Sequence, residues 1–397
     1  MLSKSIRFAL PLLGAILIGS PLSAAPASTA PVLIGLDADM SGGSALGGEA
    51  IRRGVLLAIA EINAKGGVLG RKIKLVVKDH RGVPGRGVDN MLNFAKMTDL
   101  VAVVGGIHTP VSLAQLPNIH RDKIIYLGPW AAGTPIVANG HSPNYVFRVS
   151  VRDEHAGGFL IRAARDRGFK KPGLLLWRTG WGRSNEKAMK SALKRQKMGL
   201  AGVRWFNTSQ KDMTLQITQL MDAGADVIML VANAPDGLVA IRDIAAMPSD
   251  KRLPIISHWG ITGGDFFKAG RTDIASVDLS FLQTFSFFAP PFPARARTLL
   301  KSYCSRFGPC ASPADVTAPV GTAHAYDIVR ILARAIQKAG TIDRPKVRTA
   351  LENLKSFDGL MRNYRPPFTA KRHDALNADD FHLARFDENG AIIPGLE

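Results

Sequence analysis

From residue 32 onward, short apolar runs alternate with stretches of helical periodicity, and the alternation runs twice over. The first series has strands at VLIGLD (32–37), KIKLVVKD (72–79), LVAVVGG (100–106), KIIYLGP (123–129) and NYVFRVS (144–150). Ile51, Val55, Ala58, Ile59 and Ile62 mark one face of a helix over 50–62 that Gly66-Gly67 stops, and a second helix is expected around 86–98. Strands separated by helices pair in parallel, because a crossover of that length returns to the sheet it left. The second series repeats the pattern. Helices near 153–167, 184–197 and 212–223 alternate with strands GLLLW (173–177), VRWF (203–206, weak), DVIMLVA (226–232) and LPIIS (253–257). Two such series predict two α/β lobes, each with its own core.

The run VDLSFLQTFSFF (277–288) is longer than a short strand needs and is expected to pass between the lobes. Two helices come after it. The second carries the stripe Ala325, Ile328, Val329, Leu332, Ala335 and Ile336 and ends at Gly340. FHLARFDENGAI (381–392) suits a hairpin around Glu388-Asn389-Gly390.

Composition narrows the function classes. With 46% hydrophobic and 21% charged residues the chain is not disordered throughout. The net charge of +19 is spread over residues such as Arg52, Arg53, Arg71, Lys72, Lys190, Lys194 and Arg195. No zinc-finger spacing or RRM-type aromatic signature goes with it, so a solvated basic surface is expected and nucleic acid is not a partner. Residues 1–25 combine Lys4 and Arg7 with an apolar stretch from Phe8 to Ile18, too short to span a bilayer, and with small residues at Ser23, Ala24 and Ala25. This is a secretory signal peptide with its cut between residues 24 and 30, and no cysteine there would carry a lipid anchor. In an oxidising compartment Cys304 and Cys310, with Gly308-Pro309 to turn the chain back, are expected to form a local disulfide.

An enzyme is not expected. The nine histidines include no H-E-x-x-H spacing, no G-x-S-x-G elbow is present, and His108 beside Thr109 has no orienting acid. No metal or cofactor site emerges. The glycine-rich SGGSALGG (41–48) lacks the G-K-[ST] ending of a phosphate cradle; its glycines suit close approach to a ligand, and Asp39 and Ser41 could reach into a cleft.

Four stretches resemble, in order, the leucine/isoleucine/valine-type periplasmic binding proteins: EAIRRGVLLAIAEINAKGGVLGRKIKLVVKDHRG, VAVVGGIHTPVSLAQLPNIHRDKIIYLGP, TGWGRSNEKAMKSALK and VGTAHAYDIVRILARAIQKAG. The resemblance covers almost all of 32–397. It implies an α/β fold of two doubly wound parallel-sheet lobes joined by three crossovers, with lobe I at 31–149 plus 283–358 and lobe II at 150–282 plus 359–397. It also implies a periplasmic monomer that closes on a small-molecule ligand and serves the membrane permease of an ABC importer. A sensor of the same fold would share that chemistry.

The resemblance also implies the site. Thr109 stands where the family places a hydroxyl for the ligand's carboxylate, and Trp130, Ala131 and Ala132 stand where it places backbone amides. Trp181 replaces the tyrosine of the second-lobe turn. Asn233, with Ala234, and Leu46, with Gly47, fall in further contact regions. Relatives that bind amino acids hold the ammonium with an acid where Gly260 stands here, beside His258 and Trp259, and Asp265 lies five residues on. The missing acid predicts a ligand other than an ordinary α-amino acid: a small carboxylate, able to stack if aromatic, between Trp130, Trp181 and Trp259.

Overall fold

The computed structural model describes residues 1–2 and 30–395. The expected signal peptide, apart from its first two residues, and most of its cleavage zone lie outside the described residues. The chain runs β1 (Val32–Ala38), α1 (Ala45–Ala64), β2 (Ile73–Asp79), α2 (Pro84–Ala95), β3 (Leu100–Gly105), α3 (Thr109–Arg121), β4 (Ile125–Gly128), α4 (Thr134–Val137) and β5 (Val146–Arg148). These five strands form a fully parallel sheet in the order β2-β1-β3-β4-β5. All six residues of β3 are buried, as a central strand covered by helices on both faces requires.

The second series gives α5 (Asp153–Asp166), β6 (Gly173–Trp177), α6 (Gly180–Gln196), β7 (Gly202–Phe206), α7 (Thr214–Asp222), β8 (Ile228–Val231), α8 (Ala234–Ala245), β9 (Ile255–Ser257), α9 (Phe266–Ala275) and β10 (Leu279–Gln283). Then come α10 (Pro293–Phe307), α11 (Pro319–Ala339), α12 (Arg344–Glu352), the short pair β11 (Phe357–Asp358) and β12 (Asn363–Tyr364), and the hairpin β13 (His382–Phe386) with β14 (Ile392–Pro394). The second sheet has the order β14-β13-β10-β9-β8-β6-β7, parallel except for β13 and β14. The expected fold of two doubly wound lobes is therefore observed. α10, α11 and α12 return to the first sheet, where the Thr322 hydroxyl of α11 donates to Ala50 O of α1 at 3.1 Å.

Three local expectations shift. The helix expected over 50–62 begins at Ala45. Its start is set by the buried Asp39 carboxylate, which accepts the amides of Gly42 at 2.6 Å and Ser44 at 3.0 Å and folds the glycine-rich loop into a launching turn. The run 277–288 is not all connection: β10, fully buried, pairs with β9, and only the residues after Gln283 leave the sheet. The tail does not change lobe at 359. Buried Asp327 of α11 accepts Leu360 N at 2.7 Å, Met361 N at 2.9 Å and the Tyr364 hydroxyl at 2.9 Å. Arg148 of β5 then bonds His373 O at 2.8 Å through its amide and Ala375 N at 2.9 Å through its carbonyl. A carboxylate buried without donors is costly, so Asp327 keeps this segment beside the first sheet and the last crossing lies beyond Ala375. The Cys304–Cys310 disulfide closes the end of α10. Among the described residues no helix is long and apolar enough to cross a membrane.

Candidate functional site

The carboxyl ends of the first sheet supply neutral donors. Thr109 opens α3 directly after β3, and its Oγ1 accepts the Gly133 amide at 3.2 Å, which leaves the hydroxyl proton to donate elsewhere. Among the described residues the Ala132 amide finds no acceptor, whereas the Ala131 amide is committed to Gly106 O at 3.3 Å. Of the expected anion donors, Thr109 and the amides of Trp130 and Ala132 are thus free among the described residues, and Ala131 is engaged. The positive end of the α3 dipole reinforces them.

The second lobe brings a charge. Asp153, the first residue of α5, is wholly buried. Its amide donates across the lobes to Ala132 O at 2.9 Å. Its Oδ1 accepts the Trp181 indole N–H at 3.1 Å and lies 3.3 Å from His258 Nε2. His258 Nδ1 accepts the Trp259 amide at 3.0 Å, so the ring proton sits on Nε2, facing the carboxylate. Oδ2 of Asp153 is buried and has no hydrogen-bond partner among the described residues. A buried carboxylate oxygen in that condition is an acceptor waiting for a donor.

The three tryptophans do not form one clamp. Trp130 and Trp259 meet across the lobes at a tilt of 54°, with ring centroids 5.7 Å apart, and Trp259 also packs on His324 at 5.6 Å. A methyl group at Gly321 of α11 would come within 2.6 Å of the Trp130 ring. These rings fill the interface, and a planar ligand cannot lie between them in this closed arrangement. Trp181 stands apart, edge-on to His258 at 5.0 Å. A Cβ at Gly260 would lie 2.6 Å from the tip of Trp181, 2.6 Å from Asn233 Oδ1 and 2.5 Å from Ala232 O. Trp181 therefore occupies the space into which a side chain at 260 would project.

The remaining expected residues separate. Asn233, before α8, lines a cavity of about 290 Å³ at the cleft mouth together with Asp39, Arg81, His108, Trp177 and Asp236. Leu46 instead lines a smaller cavity, about 180 Å³, against Ile261, Phe287 and Phe288. Asp265 borders that cavity too. Gly47 serves lobe closure: a Cβ there would lie 3.0 Å from Gly263 O. At the mouth, burial and the neighbouring His108 push His80 down to about 4, and burial lowers His108 as well, so both are neutral at pH 7. His324 is likewise lowered to about 4 by burial. Its ring joins Pro129 O at 2.8 Å to the Thr284 hydroxyl at 2.9 Å. Among the described residues no group of His, Cys, Asp or Glu is arranged to hold a metal.

Sequence reasoning missed Asp153. An acid in the first turn of a helix is the commonest of signals, because it meets the helix dipole. Only its position directly after the first interlobe crossing, in VRDEH, set it apart.

Comparison with known proteins agrees with this architecture. The model of a family described as periplasmic binding protein matches residues 31–391. A Leu/Ile/Val-binding protein homolog of Brucella melitensis is 24% identical over 395 residues, 98% of this chain and all of that protein. A periplasmic binding protein type 1 of Bordetella pertussis superposes with a TM-score of 0.82 at 22% identity, over 92% of this chain and 100% of that one. A solute-binding protein of R. palustris, solved in complex with 4-hydroxybenzoate, superposes with a TM-score of 0.78 at 18% identity, over 93% and 96% of the two chains. The family is one of solute-binding proteins rather than enzymes. This chain belongs to the periplasmic binding protein family.

Proposed function

We propose that the chain is exported by its 1–25 signal peptide and works as the solute-binding component of an ABC importer. It captures a small carboxylate that also carries a hydrogen-bond donor, an ammonium or a hydroxyl. Thr109 and the Ala132 amide receive the carboxylate, Asp153 Oδ2 receives the donor, and the Trp181 ring forms the apolar wall. Asp153 carries this reading: its Oδ2 is fully buried with no partner among the described residues, while its amide meets Ala132 O and its Oδ1 the Trp181 indole. The acid absent at Gly260 is thus supplied from α5, and amino acids return as candidates beside hydroxylated aromatic acids. The 4-hydroxybenzoate bound by the R. palustris protein has this double character. Because the ligand would touch both lobes only when they are closed, binding shifts the hinge equilibrium toward closure.

The test is calorimetry with matched pairs: 4-hydroxybenzoate against benzoate, and leucine against 4-methylpentanoate. The member with the donor should bind about 100-fold tighter, and scattering should show the protein contracting with it. Equal affinity within both pairs would remove Asp153 from recognition. Absence of binding across a wide panel of carboxylates would sink the function itself.

A further inference from the structure

Away from the cleft, a cavity of about 290 Å³ opens between the first and last interlobe crossings. Arg152 comes from the first crossing and His155 from the first turn of α5. Arg362, Arg365, Arg372 and Asp374 come from the tail that precedes the last crossing. Four guanidiniums therefore share one cavity wall with a single carboxylate.

The neighbouring acids do not neutralise it. Asp374 serves buried Arg148 at 2.6 Å and Arg152 at 3.4 Å. Arg152 also reaches Glu154 at 2.6 Å, Arg362 holds Asp380 at 2.7 Å, and Arg365 holds Asp358. Among the described residues Arg372 has no carboxylate partner. It donates only to carbonyls, at 3.1 Å to Pro367, at 2.8 Å to Pro366 and also to Asp374. Burial and the charge of Arg362 push its pKa down, partly opposed by Asp374. Among the described residues, Arg152 Nε and His155 Nδ1 are buried with no hydrogen-bond partner.

We propose that this pocket is a second binding site, separate from the solute cleft, for an oxyanion of the phosphate type. A guanidinium presents parallel N–H groups that match two oxygens of such an ion, and several around one centre suit a divalent charge better than a chloride. An occupant touching both Arg152 and Arg372 also joins two of the segments on which the lobes turn.

The experiment titrates phosphate and sulfate into the whole protein at constant ionic strength, with chloride as control, by calorimetry and thermal melting. One phosphate should bind per chain and raise the melting temperature. Arg372→Gln should weaken binding at least tenfold, and Arg365→Gln, whose ion pair with Asp358 is half-exposed, about threefold. Thr109→Val should leave phosphate binding unchanged. The proposal falls if phosphate acts no differently from chloride, if neither arginine substitution changes its affinity, or if Thr109→Val abolishes it, which would place the anion in the cleft.

Discussion

The two lobes face one cleft with opposite chemistry. The first offers neutral donors built from backbone and a hydroxyl, at Thr109 and Ala132. The second offers a buried carboxylate, Asp153, that accepts the Trp181 indole N–H, with the unpartnered Nε2 of His258 at 3.3 Å. Neutral donors attached to a sheet are rigid and need no counter-charge, whereas a buried charge needs partners to remain charged. The first lobe is thus suited to hold an anion in any state of the hinge. On the proposed function, the second would complete its own polar network only when a ligand donor arrived, which would make it the discriminating half.

The largest expected effect probes what each lobe's tryptophan is for. Trp130→Ala should cost about 4 kcal/mol of stability in urea unfolding, since its ring is core between Gly321 and Trp259. Trp181→Ala should cost markedly less stability and act mainly on ligand affinity; equal destabilisation would erase the distinction. Next, Asp153→Asn should weaken a donor-bearing carboxylate by about 100-fold and Thr109→Val by about tenfold, read by calorimetry. A Thr109 effect as large as that of Asp153 would mean that discrimination is shared between the lobes. Gly260→Ala should then lower stability by about 2 kcal/mol, because the new methyl group meets the Ala232 carbonyl and the Trp181 ring together. Removing the disulfide with Cys304→Ser and Cys310→Ser should cost about 2 kcal/mol in the first lobe's outer helices and leave ligand affinity intact.

The smallest effect is on pH. His80, His120 and His324 all lie on the first-lobe side with pKa values lowered to about 4, chiefly by burial. The unfolded chain binds protons on these rings near 6.5 and the folded one does not. Their contribution is therefore full above about pH 6.5 and declines toward pH 4. Asp37, raised to about 7 by burial, acts the other way: the folded state takes up a proton first and gains stability as pH falls through 7. His108, His155 and His382 are lowered in the same way, and Asp236, Asp243, Asp327 and Asp380 are raised like Asp37. Unfolded imidazoles titrate between pH 5 and 7 and unfolded carboxyls below it, so the urea midpoint should be lower at pH 5 than at pH 7. A midpoint that rises on acidification would show that the buried carboxyls dominate.

Much of the fold was legible because it is written at short range. Apolar spacing placed the strands of both sheets except β10, whose run was read as a connection, and the hairpin around Asn389 appeared as β13 and β14. Boundaries slipped where a buried carboxylate took control: Asp39 starting α1 early, and Asp327 holding the tail beside the first sheet as far as Ala375. Neither carboxylate's partners can be found by periodicity. Position after a strand located Thr109 next to the Gly133 amide, but the same rule chose Asn233, which lines the mouth cavity instead. The candidate site was illegible where two departures from the family pattern are one event in space, as with the indole of Trp181 over Gly260.

The order of elements, the two-lobed organisation and the family were determined by the sequence alone, because spacing of two residues in strands and of three to four in helices is a local code. The tertiary structure decided which buried polar group is left without a partner, which tryptophan is core and where the last crossing falls. Each of those depends on residues far apart in the chain that meet only when both sheets are built and the lobes come together. Whether a buried charge such as Asp153 is satisfied or waiting for a partner is then set by which donors reach it.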